Sequence, residues 1–260
     1  MGPFFLVAAG GTAVLLGSLV RTVLRERRPG VAALLYHRLR DPEAYEALTG
    51  PERNFSARTD RFEAQLDWLV ADGFQFLSLD AVRAIASGTH TCPDKAVAIT
   101  FDDGSLSVLT HAAPLLAARG IPFAVFVTAS PEAWVFEDQR RMTDVELLEL
   151  ERLGATIGAH GLSHHGLNEC DDATLQHELL ESRELLQRVL GRVVDAMAVP
   201  LNFYDERVLA AATAAGFAAV FTANPGRIRG GDRLVELRRI AIEGGMTLDH
   251  FRRALEPTAI

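Results

Sequence analysis

The sequence is poor in cysteine. Cys92 and Cys170 stand far apart and belong to no CxxC pair and no cysteine-rich zinc pattern. That excludes a disulfide framework and leaves hydrophobic burial to hold the domain together. A positive charge balance is missing too. The formal net charge is −8 and the pI is near 5.5, the opposite of the basic surface with which a general nucleic-acid binder displaces counterions. No nucleic-acid partner is therefore expected. No GxGxxG or GxxxxGK[ST] follows an apolar run, so nucleotide binding has no support. Internal repeats and low-complexity tracts are also absent.

What is present is enough for one large domain: 260 residues, 48% hydrophobic and 23% charged. The N-terminus differs from the rest. Residues 4–20, FFLVAAGGTAVLLGSLV, carry no charge, and Arg21, Arg25, Arg27 and Arg28 follow. At helical rise this run spans about 25 Å, slightly short of the ~30 Å hydrocarbon core. Extension to Leu24 with Arg21 snorkelling closes the gap. A secretory signal wants positive side chains before its apolar stretch, and none precedes this one. Residues 1–28 are accordingly expected to form a single-pass membrane anchor with a basic flank, and residues 29–260 the folded domain.

From Val31 onward short apolar runs alternate with longer stretches of helical period. Strands are predicted at VAALLY (31–36), FQFL (74–77), AVAITF (96–101), PFAVFV (122–127), ATIGA (155–159), DAMAV (195–199), AAVFT (218–222) and RRIAI (238–242). Helices are predicted between most of them. One carries Phe62, Leu66 and Leu69 on a common face, another Leu175, Leu179, Leu186 and Leu190, and each ends in glycine. Such alternation implies an α/β fold, a parallel sheet with right-handed crossovers. Seven or eight units in this length suggest a closed (β/α) barrel, with an open doubly wound sheet as the alternative.

Polar clusters follow three of these strands: Asp102-Asp103-Gly104, then His160-Gly161-Leu162-Ser163-His164-His165, then Pro200-Leu201-Asn202. Active sites of barrels form at this strand edge. An Asp-Asp-Gly turn alone is commonplace, because aspartate caps backbone amides and glycine tolerates positive φ. Two like charges at the end of an apolar strand must nevertheless resolve their repulsion, and a metal on one with proton handling on the other would do so. Neutral imidazoles with a carboxylate suit zinc and leave a coordination position open. His37 ends the first predicted strand and falls at the same edge.

TFDDG (100–104) followed by GAHGLSH (158–164) closely resembles the polysaccharide deacetylase family, the fourth family of carbohydrate esterases. LLYHRL (34–39), RFEAQLDWL (61–69), APLLAARGIPFAVFV (113–127) and YDERVLAAATAAGF (204–217) extend the resemblance. It implies a distorted (β/α) barrel and a divalent-metal hydrolase, most simply a zinc enzyme, that deacetylates an N-acetylated glycan. It also implies that Asp102 is the general base and that Asp103, His160 and His164 are the metal ligands. Their ligand atoms should then lie within about 5 Å of one another. Pro200 and Leu201, with His37, fall to the substrate and oxyanion side. Substrate logic tips the expected anchor toward the extracytoplasmic face, against the positive-inside rule.

The family's third motif often reads Arg-x-Pro-Tyr; here it is Ala198-Val199-Pro200-Leu201, without the base-orienting arginine and the aromatic. The late Leu-x-His has no match, and His250 lies in a helical pattern that makes it a surface or packing residue. Arg238 and Arg239 begin the last predicted strand and read as packing or solvated groups away from the metal. Trp134 and Phe136, after the fourth strand, are candidate sugar-stacking rings. Two rival functions stay open: a silent carbohydrate-binding relative that keeps the metal centre, or a hydrolase of small non-sugar amides.

Overall fold

The computed structural model describes residues 29–130 and 140–256. Its framework is a parallel barrel. Strands β1 (Ala32–Tyr36), β5 (Ala96–Phe101), β6 (Phe123–Val127), β7 (Ala155–Ala159), β8 (Ala196–Ala198), β9 (Ala219–Pro225) and β10 (Leu237–Ala241) pair in that order, and β10 returns to β1. Leu34 is the closing point: it stands opposite both Ile240 and Ile99. Helices fill the crossovers, as parallel connection requires.

The predicted strand at 74–77 survives only as the two-residue β4 (Gln75–Phe76), outside the ring. The reason is edge occupancy. One edge of β5 belongs to β1; on the other, β4 holds Ala96 and Val97 while β6 takes over from Ile99. The ring among the described residues thus has seven strands, the lower of the two expected values. A short parallel pair that the sequence pattern did not suggest, β2 (Arg38–Arg40) and β3 (Ser56–Arg58), lies beside the barrel.

Alternation along the strands sorts the core into two layers. Ala33, Ala96, Ala98, Ala124, Ala196, Ala198, Ala219 and Leu237 form one cluster with Phe126 and Phe221, and helix α4 (Leu79–Ala86) adds Leu79, Val82 and Ile85 to it. This is the barrel interior. Alanine dominates because a seven-stranded ring leaves little room, and the few large side chains do most of the filling.

The opposite parity, including Leu34, Tyr36, Val97, Ile99, Phe101, Val125 and Ile157, packs outward against the helices. There Tyr36, Phe62 and Phe101 form an aromatic triangle with ring centroids 5.2, 5.5 and 5.9 Å apart. Phe62 comes from helix α3 (Thr59–Ala71), which buries Phe62, Gln65, Leu66 and Leu69 at helical spacing. Gln65 accepts the Tyr36 hydroxyl at 2.8 Å, so the one polar atom in the triangle is satisfied.

The membrane-anchored, single-pass localisation expected from the apolar run is corrected here. Among the described residues no helix is long and apolar enough to cross a membrane. The longest, α7 (Asp172–Leu190), is amphipathic, with charges on its outer face. The apolar run itself, within residues 1–28, lies outside the described residues, as do Trp134 and Phe136.

Phe62 is fully buried, so Phe62→Ala should cost about 3–5 kcal/mol of unfolding free energy, cavity term included. Urea unfolding followed by circular dichroism measures it. A loss below about 1 kcal/mol would mean that the triangle is not packed as described.

Candidate active site

The inward parity of the strands continues into their C-terminal ends. On β1 it runs Ala33, Leu35, His37; on β5, Ala98, Thr100, Asp102; beyond β7, Gly158, His160. His37, Asp102, Asp103, His160, His164, Leu201 and Arg239 line one cavity of about 280 Å³ at this mouth. Pro200 is buried behind it, 3.1 Å from where a Cβ on Gly161 would lie.

Asp103 faces the two histidines. Its Oδ1 lies 3.6 Å from His160 Nε2 and 3.4 Å from His164 Nε2. One ligand atom from each of the three residues fits within 4.8 Å of the others, inside the limit set from the sequence. Asp103 is 5% exposed, and its Oδ2 is buried without a hydrogen-bond partner. A buried carboxylate oxygen left bare is costly unless something else satisfies it. The Nδ1 of His160 lies 3.0 Å from the Ala198 carbonyl. A carbonyl can only accept, so Nδ1 carries the proton and Nε2 keeps its lone pair toward Asp103. Burial also pushes the His160 pKa down, to about 4, so the ring is neutral at physiological pH. Two imidazoles and a carboxylate with an unsatisfied oxygen are a donor set that fits a divalent cation.

The backbone is shaped for this convergence. Asp103 has φ +71° and His164 φ +65°, both left-handed, a conformation that side chains other than glycine adopt at a cost. Gly104 follows with φ +83°, and a Cβ there would meet Val127 Cγ1 at 2.9 Å. Glycine is thus required where the turn passes under β6.

Asp102 has different company. Arg239 Nη1 donates to its Oδ1 and Nη2 to its Oδ2, both at 2.7 Å. This corrects the expectation that Arg239 packs or is solvated away from the site. The guanidinium is fully buried; its Nε donates to the Thr222 carbonyl at 2.9 Å, and it lies 5.5 Å from the centre of the Phe126 ring. Burial alone would raise the Asp102 pKa, but the adjacent Arg239 charge and its hydrogen bonds outweigh that and hold it below the usual carboxylate range. Ala198-Val199-Pro200-Leu201 holds no arginine, but β10 brings one to Asp102. Its sequence signal was an arginine on the inward, apolar parity of a strand.

The other predicted positions divide. Leu201, at φ +57° in the turn Pro200–Asn202, holds a half-exposed side chain on the cavity rim. His37 lies in the cavity wall, 4.8 Å edge-on to Phe55, and burial lowers its pKa. His165 is exposed, and His250 is exposed too, the surface alternative of the sequence reading. Phe55, which the sequence did not single out, contributes an exposed ring to the rim.

Residues 89–220, just over half of the chain, match the sequence profile of a family described as polysaccharide deacetylase. The chain is 25% identical over 195 residues to YxkH of Bacillus subtilis, a protein named for the same family, covering 75% of this chain and 68% of that one. It is also 25% identical over 209 residues to a poly-beta-1,6-N-acetyl-D-glucosamine N-deacetylase of Staphylococcus aureus, covering 74% and 72%. In structure it is similar to the Streptococcus pyogenes deacetylase PplD, with TM-score 0.75 at 23% identity, covering 88% of this chain and 100% of that one. At that identity the likeness speaks for the fold.

If the three donors share a cation, purified protein should bind one zinc per chain in equilibrium dialysis, and His160→Ala and His164→Ala should each bind far less. Arg239→Met should still bind it, because that side chain contacts Asp102 and not the donor set. Full zinc occupancy in both histidine variants would overturn the grouping.

Proposed function

We propose, on the premise that the chain belongs to the polysaccharide deacetylase family, that residues 29–260 form a divalent-metal-dependent hydrolase removing acetyl groups from N-acetylhexosamine units of a glycan. One observation carries this reading: the two adjacent aspartates have opposite surroundings. Asp103 turns its Oδ1 toward two imidazoles and keeps its buried Oδ2 without a partner, while Asp102 is held ionised by a buried guanidinium. A pure metal-binding site has no use for the second arrangement, which speaks for catalysis over silent binding.

Asp103, His160 and His164 would hold the cation, and zinc suits two imidazoles and one carboxylate best. When bound, it supplies Lewis acidity, which polarises an amide carbonyl and acidifies water. Asp102 is the general base. Arg239 occupies one lone-pair direction on each of its oxygens, and a carboxylate has about four such sites, so it can still accept a proton from water. The Leu201 turn lies on the oxyanion side, where a backbone donor serves whatever the side chain. His37 lines the same cavity, and we assign it to the substrate side, where its imidazole would contact the acetylated sugar.

The rim supports a glycan over a small free amide. Phe55 and Leu201 line the cavity and are 41% and 53% exposed. An apolar, open rim suits the face of a sugar whose neighbours extend beyond the cavity. The Staphylococcus aureus relative is named for a β-1,6-linked N-acetylglucosamine polymer, and that polymer is the first substrate to try.

Acetate release from N-acetylglucosamine oligomers should fall to background after chelation and return on adding zinc. Release unaffected by chelation would overturn the metal dependence. Asp102→Asn should lower kcat by about 10²–10⁴-fold while zinc stays bound.

The Arg239→Met variant tests the ion pair through pH. With Arg239 present, Asp102 stays ionised into the acid range. Without it, the burial effect, which favours the neutral acid, loses its largest opponent. The acid limb of kcat/KM should therefore move to higher pH. An unmoved limb would separate Arg239 from the base.

A further inference from the structure

Glu178 is a carboxylate that the proposed chemistry does not use. It sits in the second turn of α7, on the face that also buries Leu175, Leu179, Ser182 and Leu186, and it is 3% exposed. Burying a charge this deeply is expensive unless it is compensated. The compensation comes from the loop between the two histidines. Glu178 Oε2 accepts the backbone N–H of Leu162 at 2.8 Å and of Ser163 at 3.0 Å, and its Oε1 accepts the Ser163 hydroxyl. His165 adds a ring nitrogen 3.6 Å from Oε1 and 2.7 Å from Ser163 Oγ, but from an exposed position.

The loop cannot move off this anchor freely. Gly161 has φ +71°, and a Cβ there would lie 3.3 Å from Glu178 Oε2 and 3.1 Å from Pro200 Cγ. On the side away from Glu178, Ala129 and Ser130 donate their backbone N–H groups to the carbonyls of Gly161 and Leu162 at 3.0 and 2.9 Å. His160 is rooted at the end of β7, and its N–H donates to the Val127 carbonyl at 2.8 Å. His164, by contrast, lies beyond the loop in a left-handed conformation. No strand fixes it, so its distance to Asp103 is set by the loop.

We propose that Glu178 is the positioning residue of this centre: by gripping the amides of Leu162 and Ser163 it fixes where His164 stands relative to Asp103 and His160. The inference rests on the reading of those three residues as a metal site. Glu178 touches neither cation nor substrate, and its effect passes through His164.

The test is zinc affinity of metal-free protein, measured by competition with a chromophoric chelator on Glu178→Ala, Glu178→Asp and Glu178→Gln. Groups that orient metal ligands typically cost 10–100-fold in affinity when removed. Glu178→Ala should lose about that much. Glu178→Asp keeps the charge but is one methylene short of the loop, and should lose about tenfold or more. Glu178→Gln keeps the reach: its carbonyl oxygen can take both amides, and its NH₂ can donate to Ser163 Oγ. It should stay within about fivefold of the wild type, the difference between charged and neutral hydrogen bonds. The order wild type, Gln, Asp is the signature of positioning and can be read even if the alanine variant does not fold. A role through charge or general stability gives the reverse, with Asp above Gln or all variants binding as the wild type does, and either result overturns the proposal. Failure of the wild type itself to bind zinc would instead overturn the metal site.

Discussion

A guanidinium and a carboxylate share the mouth of a small alanine-lined barrel, and much else at the site follows from that pair. Neither Arg239 nor Asp102 has significant access to solvent. Removing one partner would strand the other, at about 3–5 kcal/mol for a buried charge, so the barrel must keep both or neither. Keeping both constrains the lining. Thr100 is placed beneath the pair, accepting from Arg239 at 3.3 Å and donating to the Leu34 carbonyl at 2.7 Å. Phe126 lies against the guanidinium, a weakly hydrated cation that tolerates an aromatic neighbour. The pair also divides the labour between neighbouring aspartates. Because Asp102 is neutralised from within the barrel, Asp103 is free to turn toward the histidines.

That turn stores strain. Asp103, His164 and Leu201 all adopt left-handed backbone around the one cavity, where each costs of order 1–3 kcal/mol. Such conformations persist only where neighbours over-determine them. Here the neighbours are identifiable: the tight passage of Gly104 under Val127, the hydrogen bonds from the Ala129–Ser130 segment, and the Glu178 carboxylate beneath the histidine loop. The site is built from loops, but from loops held on both sides by strand ends and a helix.

The departures of this chain from its family's motifs read differently once the tertiary structure is in view. The third motif lacks the family's arginine. A guanidinium is present beside Asp102 but comes from another strand, β10. The aromatic of the same motif is lost, yet the rim still carries an aromatic ring, Phe55, which reaches it from the segment leading into β3.

The sequence determined the strand-helix alternation, because inward and outward parity must each be apolar in a barrel wrapped by helices. It also determined the histidine–aspartate grouping, because residues at strand ends share one mouth whatever the barrel's exact form. Every predicted strand is present, and only the run at 74–77 stays outside the ring. The tertiary structure decided what depends on register and stagger. Arg239 looked remote because it opens its strand, yet Leu34 sets Ile240 level with Ile99, so the arginine is rooted deep in the barrel and its long stem rises to Asp102. Glu178 looked like one more polar residue in an amphipathic helix, and only the packing of α7 under the histidine loop gave it partners. Periodicity fixes which face a residue belongs to; the stagger between neighbouring strands and the docking of helices fix what that face meets, and neither is written in the local pattern.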